Sequence, residues 1–203
     1  MTTRKVVGHR TARTEGPDKV TGRGKYGVDV MLPGTLWLKF LRSPYPHARI
    51  LRVDTSQALA LPGVHAVLTG EDVKGLRTGG TFKDEPLLAW DRVMFAGDKV
   101  AAVAADDAEI ASHALDLIDV EYEELPALLT AEDASKSDAP ILHPDFNSYV
   151  GVRPLDFPSN IYGHLHEEKG NIQQGFADAD LIVERNYSTQ WAHHAYLEPH
   201  ASL

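Results

Sequence analysis

The stretch from residue 32 to residue 73 constrains the fold most, because turn residues divide it into short segments. Apolar runs of strand length lie at 37–42 and 49–53. The sequence Ser-Pro-Tyr-Pro at 43–46 separates these runs and cannot belong to a central strand, since proline lacks a backbone N–H donor. We therefore predict two strands joined by a stiff connection.

A short helix and a third strand are predicted directly after the second apolar run. Asp54 followed by Gln57 has the form of a helix-capping box, and the Pro-Gly pair at 62–63 ends the helix that the box begins. The apolar run at 64–68 is then the next strand. This order of elements is strand, strand, helix, strand.

A second strand–helix–strand unit is predicted further along the chain. Small apolar residues at 100–104 indicate a buried strand, and Asp106 with Glu109 forms a second capping box. Apolar residues then recur at helical spacing, and residues 120–125 alternate as a half-buried strand does. The two units predict an α+β domain in which helices cover one face of a mixed sheet.

The remaining stretches are less regular. Residues 74–89 contain several glycines and little periodicity, which indicates a surface loop. The regular domain is predicted to end near residue 130, because residues 131–158 are rich in Asp, Ser, Asn and Pro, as linkers and extended crossing segments are. Beyond them, residues 171–176 fit one turn of helix and residues 180–191 alternate as one long strand would.

A series of short motifs runs along nearly the whole chain in a fixed order. These motifs are Asp18-Lys19-Val20-Thr21-Gly22 with Tyr26, Leu32-Pro33-Gly34, Leu41-Arg42-Ser43-Pro44, His47-Ala48-Arg49-Ile50, Leu61-Pro62-Gly63-Val64, Val67-Leu68-Thr69 with Asp72, Gly97 to Ala104, Val120 to Leu125 and His194 to Pro199. Together, in this order and spacing, they resemble the molybdopterin-binding large subunit of the xanthine dehydrogenase and aldehyde oxidase family. The part of that subunit with the closest likeness is the N-terminal α/β hammerhead domain.

The resemblance implies a domain order and a function. Residues 1–132 correspond to the α/β hammerhead domain, residues 133–160 to a linker or extended crossing segment, and residues 161–203 to the incomplete start of a molybdopterin-binding domain. The expected fold is α+β, followed by an incomplete second α+β domain. The expected function is that of the N-terminal part of a molybdenum hydroxylase catalytic subunit, in which an aldehyde or an N-heterocycle is hydroxylated with water. The chain is expected to be a truncated large subunit or the product of a split gene.

The resemblance also implies cofactors and partners. Molybdopterin is expected to be bound mainly by residues outside this chain, because the family's glycine-rich FGG-type motif and its glutamate base do not occur in residues 1–203. The sequence has no cysteine, so the 2Fe–2S clusters of such an enzyme must lie on another chain. The expected partners are the remainder of the large subunit or a second large-subunit chain, an iron–sulfur subunit and a flavin subunit that carries FAD.

No residue of this chain is assigned a catalytic, cofactor-binding or metal-binding role from the sequence. Imidazole and carboxylate side chains suit zinc or iron, which leaves a small histidine–metal enzyme as one alternative. Glu198 beside histidines is able to accept a proton, but its position differs from that of the family's base, which favours a structural or interface role. The residues with open roles are His164, His166, His193, His194, Glu198 and His200.

Composition excludes several classes of function. The formal net charge is −9, and no run of basic residues alternates with aromatic residues, so nucleic acid is not an expected partner. No apolar run reaches the ~20 residues of a membrane span, and no signal-peptide core follows the N-terminus, so a cytoplasmic protein is expected. The Gly-x-Gly-x-x-Gly spacing at 22–27 lacks the buried strand that a dinucleotide site needs before it. A stand-alone, non-catalytic hammerhead module for binding or assembly is the other alternative.

Overall fold

Short strands and helices make up the regular structure of the computed structural model, which describes residues 7–8, 10–196, 198 and 200–203. The strands are β1 (Trp37–Arg42), β2 (Ala48–Asp54), β3 (Val64–Thr69), β4 (Arg77–Thr78), β5 (Glu85–Pro86), β6 (Arg92–Val93), β7 (Lys99–Ala105) and β8 (Asp119–Glu124). The helices are α1 (Gly16–Val20), α2 (Ser56–Ala60), α3 (Ala108–Asp116), α4 (Ala131–Ala134) and α5 (Ile172–Ala177). None of these helices has the length and apolar composition needed to cross a membrane.

The chain divides into two units. One unit is Leu36–Gly170 and contains all eight strands. The other is formed by Met1–Thr35 together with Asn171–Leu203, and its described residues include the short helices α1 and α5. The predicted boundaries near residues 132 and 160 stay predictions.

The first sheet has β7 at its centre, with β1 and β3 paired antiparallel on either side. The sequence of β7, a run of alanine and valine, fits a strand that is buried on both faces. Helices α2 and α3 cover one face. The core between these helices and the sheet consists of Ala58, Ala101, Val103, Ala105, Ala111, Ala114 and Ile118.

The second sheet has β2 at its centre, between β6 and β8, and both pairings are antiparallel. A smaller core forms here around Ala48, Val93 and Val100, all fully buried. Val53 and Val120 pack against both cores. These two valines join the sheets into one hydrophobic interior within this unit.

The predicted strand–helix–strand units are confirmed, but the N-cap of each helix lies one residue later than the predicted capping box places it. Helix α3 begins after Asp107, whose carboxylate accepts hydrogen bonds from the backbone N–H groups of Glu109 and Ile110. The neighbouring Asp106 instead contacts His65 at 2.7 Å. The capping-box pattern selects Asp106, which precedes Glu109 by three residues. Aspartate is a good N-cap without the box as well, and in the structure it is Asp107 that reaches the first N–H groups of the helix.

The cap of α2 differs from its prediction in the same way. Its N-cap residue is Thr55, whose side chain makes no capping hydrogen bond. The Asp54 carboxylate accepts from the N–H of Ser56, 3.0 Å away, and so orders the turn that precedes the helix. Serine, threonine and aspartate compete for such positions, so the pattern locates a helix start only to within one residue.

The α+β class is confirmed, with two corrections. The sequence predicts one mixed sheet, whereas every strand pairing in the described part of the chain is antiparallel. The long strand predicted at 180–191 is wrong, because these residues pair with no other strand and are exposed. Alternation marks a chain suited to a sheet, but a strand needs a neighbour to supply its hydrogen bonds. The predicted loop at 74–89 contains the short pair β4 and β5.

Candidate functional site

A cavity of about 280 Å³ lies in the unit Leu36–Gly170, between the β4–β5 hairpin, β6 and the irregular segment that follows α4. The walls combine apolar side chains with charged ones. The lining residues are Arg77, Asp84, Pro86, Trp90, Asp91, Arg92, Met94, Leu142, His143, Pro144, Asp145 and Tyr149. Such a mixture of apolar walls with a few fixed polar groups is typical of small-molecule sites.

The guanidinium group of Arg77 occupies the centre of this cluster. Its carbon lies 4.9 Å from the ring of Trp90 and 4.6 Å from the ring of Tyr149, so both rings make cation–π contacts with it. One terminal nitrogen donates to the backbone carbonyl of Asp84 at 2.7 Å, and the other reaches the carboxylate of Asp145 at 3.3 Å. The positive charge of Arg77 is therefore already satisfied within the protein.

Tyr149, Asp145 and His143 form a chain of hydrogen bonds beside Arg77. The Tyr149 hydroxyl donates to Asp145 Oδ1 at 2.8 Å, and His143 Nδ1 lies 3.1 Å from the same hydroxyl oxygen. Because the tyrosine has a single proton and gives it to Asp145, we assign the proton between His143 and Tyr149 to Nδ1. The other imidazole nitrogen, Nε2, then carries a lone pair and is a hydrogen-bond acceptor.

Burial dominates the electrostatics of this cluster. It lowers the pKa of His143, against the opposing effect of the carboxylates of Asp84 and Asp145. It raises the pKa of Tyr149 to about 12, and the hydrogen bond to Asp145 acts in the same direction. Both rings are therefore neutral at neutral pH.

The arrangement is suited to holding the loop in place. The described residues that line the cavity include no serine, cysteine, threonine or lysine, and the Tyr149 hydroxyl is already hydrogen-bonded to Asp145. Of the two arginines, Arg77 is held by its protein partners, whereas Arg92 makes a 3.3 Å contact with Asp91 through Nε.

Sequence reasoning missed this cluster, because its residues come from stretches that were predicted to be a loop and a linker. Two backbone features hold these stretches together. The N–H of Lys83 donates to the carbonyl of Val150 at 2.9 Å, and a Cβ at Gly151 would lie 2.7 Å from the carbonyl oxygen of Thr81. The available signal was a set of aromatic residues in polar surroundings. Phe82, Phe146, Tyr149 and Tyr162 pack on one another, and Trp90 packs against Arg77.

A buried histidine lies in one of the motifs that carry the family resemblance. His47 is 8% exposed, and its Nδ1 lies 2.7 Å from the carbonyl oxygen of Pro126. The carbonyl can only accept, so Nδ1 donates. This hydrogen bond ties the residues that follow β8 to the start of β2, which gives the histidine a structural role.

The histidines that sequence reasoning considered as metal ligands belong to both units of the structure. His166 lies 3.6 Å from Glu168, and His164 is exposed in the same unit. In the other unit, Nδ1 of His193 accepts from the N–H of Ala195 at 2.9 Å, and the ring of His194 stacks on another aromatic side chain. Among the described residues, no three His, Cys, Asp or Glu side chains converge as a metal site would require.

Glu198 contacts the N-terminal part of its own unit. Its Oε1 accepts a hydrogen bond from the N–H of Gly27 at 2.8 Å. A Cβ at Gly27 would lie 2.7 Å from the Cβ of Ala201, so the two backbone segments approach closely. This geometry supports the prediction that Glu198 is structural.

The described residues do not fit a molybdopterin site. A hollow of about 420 Å³ lies beside residues 153–164. Most of the side chains around it are exposed, and Arg153 is its only lysine or arginine. A phosphate-bearing cofactor is normally held by several backbone N–H groups or cations in an enclosed cleft. We therefore derive no chemical step through this cofactor from the residues of the chain.

Comparison with known proteins identifies two family profiles in the chain. Residues 21–126 match the profile described as "Aldehyde oxidase and xanthine dehydrogenase, a/b hammerhead domain". Residues 153–203 match the profile of the "Molybdopterin cofactor-binding domain". The first match alone covers more than half of the 203 residues.

Curated relatives give the same result. The chain is 41% identical over 187 residues to a probable xanthine dehydrogenase subunit of Bacillus subtilis, which covers 92% of the chain and 23% of that protein. It is 37% identical over 199 residues to the nicotinate dehydrogenase large molybdopterin subunit of Eubacterium barkeri, which covers 98% of the chain and 44% of that protein. The chain thus spans less than half the length of these two relatives.

Solved structures share the fold. The aldehyde oxidoreductase from Desulfovibrio desulfuricans superposes with a TM-score of 0.68 and 32% identity, over 83% of this chain and 19% of that one. The Cu,Mo-CO dehydrogenase superposes with a TM-score of 0.63 and 42% identity, over 68% of this chain and 18% of that one. On these findings, the chain belongs to the aldehyde oxidase and xanthine dehydrogenase family, and it includes that family's a/b hammerhead domain.

Proposed function

We propose that the chain is the N-terminal part of the molybdopterin-binding large subunit of a molybdenum hydroxylase. The observation that carries this proposal is the order of the two profiles, with the hammerhead domain at 21–126 followed by the start of a molybdopterin cofactor-binding domain at 153–203. In the proposal, residues 1–132 are the hammerhead domain, residues 133–160 the connection and residues 161–203 the beginning of the next domain.

The proposed reaction is hydroxylation of an aldehyde or an N-heterocycle, with water as the source of oxygen. The printed names of the relatives support this class, since they include a probable xanthine dehydrogenase subunit, a nicotinate dehydrogenase subunit and an aldehyde oxidoreductase. Relatives named as carbon monoxide dehydrogenase large chains widen the range of substrates. Substrate selection is a property of the whole assembly.

In this assembly the chain acts as a scaffold, and other sequence supplies the cofactor-binding groups. The absence of cysteine from the sequence supports an arrangement in which the 2Fe–2S clusters lie on an iron–sulfur subunit and FAD on a flavin subunit. The fixed cluster around Arg77 supports a structural role for these residues within the unit Leu36–Gly170. We place the assembly in the cytoplasm, which fractionation of the host cells tests.

The proposal is tested by purification of the tagged chain from its native host under mild conditions. We expect an assembly much larger than the 22.3 kDa chain, with molybdenum and iron in elemental analysis and hydroxylase activity towards a panel of aldehydes and N-heterocycles. A metal-free species of the size of the single chain, at every ionic strength tried, would contradict the proposal and favour the stand-alone binding module.

A further inference from the structure

Residues 142–150, which we call the latch segment, are held against the β4–β5 hairpin by individual contacts. The N–H of Lys83, in the hairpin loop, donates to the carbonyl of Val150 at 2.9 Å. Arg77, on β4, stacks on the ring of Tyr149 and donates to the carboxylate of Asp145. The latch segment belongs to none of the described strands. Its attachment therefore depends on these contacts and not on the hydrogen bonds of a sheet.

His143 supports this attachment from within the latch segment. Its ring packs edge-on against the ring of Tyr149, with 5.8 Å between the ring centres, and its Nδ1 donates to the tyrosine hydroxyl at 3.1 Å. The hydroxyl in turn donates to Asp145, which accepts from Arg77. A chain of contacts thus leads from His143 to the hairpin, and histidine is the member of that chain that titrates nearest to neutral pH.

A second proton on this imidazole lacks a paired counter-ion. Among the described histidines, His65 and His166 lie within ion-pair distance of a carboxylate, whereas His143 does not. The ring of His143 is half-buried. Burial is the largest influence on it and lowers its pKa from the ordinary 6.5, because a partly buried ring loses hydration that a cation needs.

Charged groups from four parts of the fold act on the same ring. The carboxylates of Asp84, in the hairpin loop, and of Asp145 favour its protonation. The guanidinium groups of Arg77, on β4, and of Arg92, on β6, oppose it. Burial and the two arginines together outweigh the two carboxylates. The charged and titratable side chains that line the cavity with His143 are Arg77, Asp84, Asp91, Arg92, Asp145 and Tyr149.

We propose that His143 makes the latch segment a pH-sensitive switch: its neutral ring fixes the segment to the β4–β5 hairpin, and proton uptake on mild acidification releases the segment while both sheets stay folded. The latch segment lies between the two family matches, at 21–126 and 153–203. The switch therefore acts on the connection between them, whatever reaction the assembly catalyses.

The direction of the pH dependence follows from the two states of the ring. A released histidine takes up its proton at about pH 6.5, as an ordinary imidazole does, whereas the attached ring resists that proton because its pKa is lowered. The attachment is fully present above about pH 6.5, and it weakens as the pH falls from there through the pKa of the attached ring.

Amide hydrogen exchange of the 203-residue chain tests the switch. It is followed by NMR at about pH 7.5 and about pH 5.5, on either side of the ordinary histidine pKa, and expressed as protection factors, which remove the intrinsic pH dependence of exchange. The amide of Lys83 reports on the attachment, because its acceptor is the carbonyl of Val150. The amide of Val103, a fully buried residue of the central strand β7, reports on the sheets.

We expect the protection factor of the Lys83 amide to fall by roughly three- to tenfold at the lower pH. A tenfold loss is about the limit for one imidazole that is protonated only after release. The protection factor of Val103 should change by less than about twofold. Constant protection at Lys83 would overturn the proposal. An equal loss at both amides would overturn it as well, because it would show general acid destabilisation.

His143→Asn separates the hydrogen bond from the titration. The amide nitrogen of asparagine takes the place of Nδ1 and donates to the Tyr149 hydroxyl, but the side chain takes up no proton. At about pH 7.5 the Lys83 amide should keep its protection, and its loss on acidification should shrink to less than about twofold. His164→Asn, which removes an exposed imidazole of the same unit, should retain the full pH response.

An undiminished pH response in His143→Asn assigns the proton uptake to another group and overturns the proposal. A second measurement on the natural protein does not depend on how well this variant folds. The ring signals of His143, identified by their absence from the spectrum of the variant, are titrated by NMR, and their midpoint should lie below the ordinary 6.5. A midpoint at or above that value means that the attached ring accepts a proton readily, and it overturns the switch.

Discussion

The guanidinium of Arg77 lies 4.6 Å from the centre of the Tyr149 ring, although 72 positions separate the two residues in the sequence. Arg77 belongs to the short β4–β5 hairpin, whereas Tyr149 belongs to the irregular segment that was predicted to be a linker. Tyr149 is 8% exposed, which is unusual for a linker. The contact is one of those that make the segment part of the unit Leu36–Gly170.

Replacement of Arg77 by alanine should destabilise the unit Leu36–Gly170. The change removes two cation–π contacts and two hydrogen bonds of a side chain that is only 23% exposed. We expect the free energy of unfolding in urea to fall by about 1–3 kcal/mol.

Arg49→Ala is the matched control for this substitution. It removes an exposed ion pair with Glu123, which should cost less than about 1 kcal/mol. Equal effects of the two substitutions would contradict a stabilising role for the stacked arginine.

Tyr149 should titrate at a higher pH than an ordinary tyrosine side chain. Burial, with help from Asp145, raises the pKa of Tyr149 to about 12 from the ordinary 10.0. A raised pKa means that the protonated hydroxyl stabilises the fold below pH 10, and that this contribution is lost as the pH rises from about 10 to 12. The ultraviolet absorbance of tyrosinate measures the titration.

The variant Tyr149→Phe provides the comparison for the pH dependence. The difference in unfolding free energy between the natural protein and this variant should be constant below about pH 10. Above that pH the natural protein should lose stability relative to the variant. The substitution removes one tyrosine from the tyrosinate titration curve. If the part of the curve that disappears lies near pH 10 and not near pH 12, the raised pKa of Tyr149 is contradicted.

The sequence predicts most strands and helices of the unit Leu36–Gly170, because local signals determine them. The run of alanine and valine in β7 is typical of a buried strand, and the Pro-Gly pair before β3 ends the preceding helix. The strand predicted at 180–191 is wrong because strand formation there depends on a distant partner and not on a local signal. Its alternation is genuine, but a strand depends on a partner, and none of the described strands pairs with it.

The cavity around Arg77 could not be predicted from the sequence, because it also depends on contacts between distant segments. Its groups come from two segments that have no periodicity, and the contact between Arg77 and Tyr149 is set by how a loop folds back over a sheet. Packing against the rest of the protein, and not local propensity, determines the conformation of such loops. Glu198 is an intermediate case: the sequence favours a structural role, and the hydrogen bond from Gly27 supplies a specific contact that no spacing rule contains.

Gly70→Ala should destabilise the protein, because the backbone after β3 leaves no room for a side chain. A Cβ at Gly70 would collide with the carbonyl oxygen of Ala89 and lie 2.6 Å from Cα of Trp90. Backbone atoms cannot move aside as a flexible side chain does, so we expect a loss of about 1–3 kcal/mol or more, measured by urea denaturation.

Gly80→Ala is the control for this glycine substitution. A Cβ at Gly80 would meet no atom within 4 Å, so the change should alter the unfolding free energy by no more than about 0.5 kcal/mol. A tolerated Gly70→Ala would show that the approach of the two segments is looser than the structure describes.

Glu198→Ala should release the N–H of Gly27, whose only described acceptor is the Glu198 carboxylate at 2.8 Å. Amide hydrogen exchange at Gly27 should quicken by roughly fivefold, as loss of one hydrogen bond of ordinary strength predicts. Glu198→Gln retains an acceptor oxygen and should keep most of the protection. Glu184→Ala, an exposed glutamate of the same unit, should change nothing at Gly27.

The same set of variants distinguishes a structural glutamate from a chemical one. In an assembled enzyme, a glutamine that accepts the hydrogen bond from Gly27 preserves the position of the segment but cannot take up a proton. If Glu198 is structural, turnover with Glu198→Gln should stay close to that of the natural protein and should keep the same pH profile. A large loss of turnover in this variant, with protection at Gly27 retained, would overturn the structural role and make Glu198 a proton acceptor, because only the ability to ionise differs between the two side chains.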